Sequence, residues 1–424
     1  MIEQKKKYGR LIALCWLVYV STYFTKYSYN ANINRIMPFF NVNHAEAGLV
    51  STFFFFSYGA GQIIHGLLSK HYNSRYLVSC ALAVSAIINI VVRLLTVFYP
   101  IKYLWILNGF TLSLIWPLIV RTLAENLETK DFDKAIVIIG TTTPFGLFLT
   151  YGLSSLYIKI ASFTAIFTTG FIVSSLVSVV WLIFYPAFTN YGSAEKTAVQ
   201  SEKSSAVQAE KSVLTPKNLV VYICVLAVMS AVSSVVRDGI GVWFPSVLIE
   251  KFDFDESVSV VMSLVIPLFG ILGNFIGVAC NKHVKDFILF GVILMAATAV
   301  FVGVAYAGVA CVSVVLLFIG SGFSSCLLYG FGNIMTGKVP MSVPDKKSSG
   351  FYAGVMNGSA YVGSTISTYG LGLIADKSGW NGTFLSLFAI SAISTIVFAL
   401  FFVVYKLITK KTFSDNRLKA LSER

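Results

Sequence analysis

The sequence predicts an all-α membrane protein with twelve transmembrane helices grouped as two six-helix bundles. Three observations lead there. Of the 424 residues, 56% are hydrophobic and only 12% are charged, with a mean hydropathy of +0.77; an ordinary soluble chain averages about 25% charged residues. Largely apolar runs, long enough to cross about 30 Å of hydrocarbon, recur from one end to the other. A stretch rich in Ser, Ala, Glu and Lys, residues 189–216, divides these runs into two sets.

The first set lies near 11–39, 47–69, 76–98, 103–124, 135–158 and 161–187; the second lies near 218–248, 258–280, 286–308, 311–336, 350–375 and 380–407. Lys5, Lys6, Lys7 and Arg10 imitate the start of a signal peptide. The run that follows is too long for one, carries Lys26 and lacks a small-residue cleavage site, so it is expected to stay as a span. Lys70 and Arg75 part the second and third runs, Lys102 precedes the fourth, Lys130 and Lys134 precede the fifth, and Lys159 follows it. The polar stretch after the sixth buries too little apolar surface to fold alone and reads as a linker. Lys251 follows the seventh run, Lys282 and Lys285 the eighth, Lys338, Lys346 and Lys347 the tenth, and Lys377 the eleventh; Lys410 and Lys411 begin a short basic tail.

The expected organisation is therefore a bundle over 1–188, a linker over 189–216, a second bundle over 217–409 and a tail over 410–424. Most basic residues fall on the side that holds both termini and the linker, which the positive-inside rule makes cytoplasmic in a multi-pass cell-membrane protein. The net charge of +13 then reports topology, and nucleic acid is not an expected partner. A monomer in the lipid bilayer, without cofactor or metal, is expected. The six cysteines fall in the apolar runs without a Cys-x-x-Cys pair and read as buried, reduced thiols.

Two cations lie inside apolar runs at matching places in the two sets. Lys26 is followed forty residues later by Gly66, and Arg237 forty residues later by Gly277. A charge at the bilayer centre costs about 2.5–3.5 kcal/mol on insertion scales, so a matched pair suggests a central anion site. Counting along a helix from Lys26 puts Tyr19, Thr22, Tyr23, Tyr29 and Asn30 on its face; the same count from Arg237 gives Ser230, Ser233, Ser234, Ile240 and Gly241. Tyr58, Gln62, His65 and Ser69 form a third polar stripe, with Gln62 and His65 read as interhelical hydrogen-bond partners as well as substrate candidates. Neighbours on a helix point about 100° apart, so Asp238 is not expected to pair with Arg237; it is left to reach Lys26 or another helix. Arg35 and Arg93 read as interfacial anchors, and Arg121 as the centre of a salt-bridge cluster with Glu125 and Glu128. No P-loop, metal-ligand cluster or catalytic triad is present, the four histidines are scattered, and an enzyme is not expected.

Six runs, a long middle loop and six more runs follow the parallel-repeat plan of the major facilitator type. Within that type, the chain resembles the organophosphate:phosphate antiporter family. Arg237-Asp-Gly-Ile-Gly-Val-Trp-Phe-Pro245 is similar to the family's seventh-span R-x-G-I-x-x-W-x-P, and Lys26-Tyr-Ser-Tyr29 to its first-span R-x-N-F. Trp116-Pro117 with Arg121-Thr122 is similar to its fourth-span W-P-x-x-x-R-T; Gly350 to Gly363, with Asp376 to Phe384, is similar to its eleventh span and the following loop. The resemblance covers nearly the whole chain. It implies that Lys26 and Arg237 together hold a phosphate or similar anion while two six-helix halves rock about it. With Tyr23, Asn30, Tyr58, Gln62, His65, Trp116, Asp238, Asn357 and Tyr361 they form the candidate substrate-binding set.

The chain departs from the family at several points. Lysine replaces the first-span arginine and loses its bidentate fork. Aligning on Met37-Pro38 would put Asn30, not Lys26, at the binding position. Gln62 stands for the second-span lysine, and Gly140 to Gly146 holds no counterpart of the fifth-span histidine. The loop motif G-x-x-x-D-[RK] lacks its acid in both copies, Gly66-Leu-Leu-Ser-Lys-His71 and Gly277-Val-Ala-Cys-Asn-Lys282.

The expected function is secondary transport of a small organic anion, a phosphate ester exchanged for inorganic phosphate by rocker-switch alternating access. The alternatives are a proton-coupled metabolite symporter, with Asp238 as the titrating group, and a transporter-like sugar-phosphate sensor.

Overall fold

The computed structural model describes residues 2–127, 129–189, 216–342 and 349–422, and every regular element among them is helical. In chain order these are α1 (Ile2–Lys26), α2 (Ser28–Ala31), α3 (Ile33–Phe40), α4 (His44–Leu68), α5 (Ser74–Leu94), α6 (Ile101–Ser113), α7 (Ile115–Asn126), α8 (Thr129–Gly140), α9 (Thr142–Ile160) and α10 (Ala165–Phe188). After the linker come α11 (Pro216–Phe252), α12 (Glu256–Met262), α13 (Val265–His283), α14 (Phe287–Ala310), α15 (Val314–Asn333), α16 (Val339–Met341) and α17 (Ser349–Ser422). Nine stretches among the described residues are long and apolar enough to cross a membrane, and the last, Gly354–Leu407, has 54 residues and covers both runs expected there. The runs expected at 11–39 and 135–158 are helical but interrupted.

Proline explains three interruptions. A proline has no N–H for the carbonyl four residues earlier, and its ring crowds that carbonyl. Pro117, Pro144 and Pro267 follow the breaks at Leu114, Thr141 and Ser263–Leu264 by three or four residues. Pro245 acts differently, because α11 continues through it. The cost there falls on the carbonyl of Gly241, which loses its helical donor. The bend in α17 is at Gly379, with φ 64° and ψ −175°, a conformation essentially confined to glycine.

Helices α1–α10 pack against one another, as do α11–α17; the two sets meet where α4 lies along α17 and where α9 lies against α12 and α13. The largest core cluster is continuous across both sets. Tyr23, Ala31, Leu147 and Tyr151 form a smaller cluster with Val260 and Leu264 across that junction.

Some expectations need adjusting. The linker residues 190–215 and Glu128 lie outside the described residues. The helix α17 continues through the expected tail to Ser422. The six thiols are all free, but only Cys15 and Cys326 are buried; Cys80, Cys224 and Cys311 are exposed, and Cys311 lies in the turn after α14 rather than in a helix. A thiol is apolar enough to sit on a surface that faces lipid, so hydropathy alone did not distinguish the two positions.

Candidate functional site

Lys26 is the last residue of α1, and the helix breaks there because Tyr27 adopts φ −107° and ψ 0°. The side chain is 8% exposed. Its ammonium lies 4.2 Å from the ring centroid of Tyr58, 5.3 Å from that of Tyr27, 5.6 Å from that of Tyr361 and 5.8 Å from that of Phe54. These rings come from α1's end, α4 and α17. All lie within the distance at which a ring face attracts a cation, which offsets part of the cost of burial. Gly59 makes the cage possible: a Cβ there would stand 2.7 Å from the Cβ of Tyr361.

Arg237 contradicts one expectation from helical geometry. Its Nε donates to Asp238 Oδ1 at 2.7 Å and its terminal nitrogen to Oδ2 at 3.0 Å, although the two residues are adjacent. Helical spacing directs Cβ atoms apart, but a guanidinium on a flexible stem can curl back over its neighbour. The pair is 20% and 18% exposed. The same guanidinium donates to Ser234 Oγ at 3.3 Å, and Asp238 Oδ2 also accepts from the Ser364 hydroxyl of α17.

One residue bridges the two cations. Tyr27, which touches Lys26, also lines a cavity with Arg237 and Asp238. This cavity has about 510 Å³ of empty space, part of it open to solvent, and its other walls include Tyr151, Gly241 and Tyr329. Arg237 stacks over Tyr329 at 5.3 Å. The chamber wall therefore combines an arginine neutralised by its neighbour with several tyrosine faces, and Lys26 stands beside it across the Tyr27 ring.

The other candidates divide into four groups. Tyr58 and Tyr361 belong to the lysine cage, 4.8 Å apart by ring centroids. Gln62 accepts from Asn357 at 2.5 Å, a bond from α4 to α17. Tyr23 stacks on Tyr27 at 5.7 Å and bonds Thr143 at 2.6 Å, while Trp116 packs against Tyr19 at 5.1 Å. Asn30 and His65 lie apart from these contacts: Asn30 accepts from Ser51 at 2.6 Å, and His65 bonds Tyr72 at 3.1 Å. The break at Tyr27 explains Asn30, because a count of 100° per residue from Lys26 does not survive it. Tyr29 is turned away too, donating to the Ala47 carbonyl.

Polar contacts between the two sets of helices gather at the end that carries His44. His44 bonds Asp376 through Nδ1 and Glu250 through Nε2, both at 2.7 Å. Only an imidazolium donates from both nitrogens. Asp376 also accepts from the backbone N–H of His44 and Ala45, and Glu250 from the Trp380 indole. Nearby, Arg35 pairs with Glu256 at 2.6 Å and Asn34 accepts from Ser246 at 2.7 Å. Asp255, just outside the spans, caps α12; the Ser257 hydroxyl and the Val258 N–H hold its carboxyl below the usual carboxylate range. Arg121 pairs with Glu125 at 2.5 Å as expected and also ties the Tyr72 carbonyl at 3.0 Å.

Residues 15–368 match the profile of the Major Facilitator Superfamily. The chain belongs to that superfamily. It is a multi-pass membrane transporter by fold and kinship, and the resemblance to the organophosphate:phosphate antiporters holds. Among curated proteins it is 24% identical over 428 residues to a probable hexose phosphate transport protein of Chlamydia trachomatis, covering 94% of this chain and 92% of that one. It is 32% identical over 111 residues to the membrane sensor protein UhpC of Escherichia coli, covering 26% of this chain and 25% of that one. A crystal structure of a nucleoside transporter superposes with a TM-score of 0.70 at 14% identity, over 92% of this chain and 99% of that one, a likeness of fold alone.

For a major facilitator chain, the residues that sequence reasoning missed are informative. Tyr151, Tyr329 and Ser364 reach the chamber or its ion pair, but none has a charged residue within four positions to anchor a count. His44, Glu250, Asp376 and Trp380 form a junction between elements 206 and 332 residues apart, which no local pattern brings together. The histidines are scattered in sequence, yet His44 has a defined place. A signal for Tyr27 was present: it follows Lys26 directly inside the quoted motif.

Proposed function

We propose that this transporter exchanges a phosphate ester for inorganic phosphate by rocker-switch alternating access in the cell membrane, with Lys26 and Arg237 as the anion-binding groups. The observation that carries this reading is that Tyr27, whose ring centre lies 5.3 Å from the Lys26 ammonium, lines one tyrosine-rich, partly open chamber with Arg237 from the other set of helices. Buried cations of this kind are costly unless an anion or carboxylate offsets them, which suits a site whose occupant is negative. Names of the relatives agree: hexose phosphate transport in Chlamydia and glycerol-3-phosphate transport in Bacillus subtilis.

The two moving bodies would be 1–188 and 217–409, with both termini and the linker in the cytoplasm as the basic loops suggest. In that orientation the His44 junction is the outer closure, and the bodies rock about the α4–α17 and α9–α12 contacts. A proton-coupled symport is less well supported, because both oxygens of its titrating candidate, Asp238, are engaged by Arg237.

Counterflow in proteoliposomes preloaded with phosphate, screened against a panel of labelled phosphate esters, tests the reading. At least one ester should accumulate, and only when phosphate is inside. A stable, inserted protein that accumulates none of them would refute it. The 32% identity to a membrane sensor over part of the chain supports a second reading, a sensor that binds a sugar phosphate without moving it. Ligand-dependent thermal stabilisation without counterflow would favour that reading.

A further inference from the structure

We infer that Asp238 determines which passenger the chamber accepts: a phosphate ester that also carries a protonated amine, with a net charge near −1. This rests on the phosphate-ester reading above and deepens it.

Charge comes first. Arg237 and Asp238 line the chamber and Lys26 stands beside it across the Tyr27 ring; counted in their ionised forms, the three sum to +1. A phosphate monoester carries about −1.5 to −2 near neutral pH. A dianion would therefore leave the filled chamber negative in a low-dielectric setting, where uncompensated charge is costly. A passenger bearing an ammonium as well as its phosphate brings the sum close to zero. So does the monoanion of inorganic phosphate, so the two partners of an exchange would be matched in charge.

Position comes second. The guanidinium fork of Arg237, the group best shaped for phosphate, is held by Asp238 at 2.7 and 3.0 Å. Lys26 makes no such pair, so of the two anion-binding cations it is the one whose charge no carboxylate contacts directly. Beside Asp238 the wall offers acceptors and π faces. A carboxylate accepts about four hydrogen bonds, and Asp238 uses two on Arg237 and one on Ser364. Gly241, one helical turn along from Asp238, lines the chamber, and Pro245 leaves its carbonyl without the usual helical donor. The rings of Tyr27, Tyr151 and Tyr329 line the same space and favour a cation. Acceptors and ring faces suit an ammonium and do not suit a second anionic oxygen.

The test uses the full chain in proteoliposomes loaded with inorganic phosphate. Glucosamine 6-phosphate and glucose 6-phosphate differ by one ammonium in place of one hydroxyl. Wild type should take up the amino ester with a specificity about tenfold or more above that for glucose 6-phosphate, the margin expected when a buried polar group loses its partner. Asp238→Asn, which frees the Arg237 charge, should abolish or reverse that preference, whereas Asp238→Glu should retain it. A wild-type ratio near one, or a preference that Asp238→Asn leaves unchanged, would overturn the inference while leaving phosphate-ester exchange intact. Failure of both esters, with no phosphate exchange by a stable wild type, would overturn the exchange reading and this inference with it. If Asp238→Asn does not fold, the wild-type ratio decides the question alone.

Discussion

The ammonium of Lys26 stands 4.2 Å from the centre of the Tyr58 ring, inside a cage completed from the other half of the chain by Tyr361. The ring face offsets part of the cost of burying an ammonium that has no ion-pair partner among the described residues. Tyr58→Phe keeps the ring face and should retain most exchange. Tyr58→Leu removes it and should raise the KM for phosphate by about 2- to 30-fold, the range that a cation–π contact of about 0.5–2 kcal/mol implies. Exchange kinetics of the two variants check this.

The Arg237–Asp238 pair should behave as a unit. Arg237→Ala leaves the Asp238 carboxylate without its main partner, which costs about 1–3 kcal/mol of stability. Adding Asp238→Asn should recover part of that loss, and the double-mutant cycle should show a coupling of at least about 0.5 kcal/mol. Thermal unfolding in detergent measures it; strictly additive losses would mean that the pair is not coupled.

The His44 junction is predicted to hold one end of the chamber shut. Asp376→Asn weakens a charge-assisted bond to His44, and such bonds contribute about 1.5–3 kcal/mol. A cysteine placed at Tyr329, in an otherwise cysteine-free background, should then react with a polar thiol reagent added from the His44 side about tenfold faster than in the parent. Unchanged labelling would show that the junction does not govern access.

Two glycines should be intolerant for different reasons. Gly59→Leu has no room against Tyr361 and should slow exchange by disturbing the lysine cage. Gly379→Ala keeps space around it but forces a side chain into a backbone region that costs about 1–3 kcal/mol. Its effect should appear in the melting temperature more than in KM.

The helical membrane fold was legible because hydropathy and sparse charge dominate it, and Lys26 and Arg237 were legible because buried charge is rare. Three features were not. The break at Tyr27 undid the count that placed Asn30 beside Lys26. The curl of Arg237 onto its own neighbour depends on side-chain torsions, which residue spacing does not encode. The His44 junction joins residues from α4, α11 and α17, and only the packed helices bring them together. Prolines 117, 144 and 267 were visible as breakers, yet the runs around them were expected to be unbroken.

The measurement that bears most directly on the central claim is phosphate:phosphate exchange by Lys26→Met and Arg237→Met, each reconstituted at matched density with insertion verified. If the two cations share one chamber and hold one anion, each substitution alone should reduce exchange about a hundredfold or more, since each leaves the bound charge short of a partner in a low-dielectric site. Wild-type exchange by either variant would contradict the shared site.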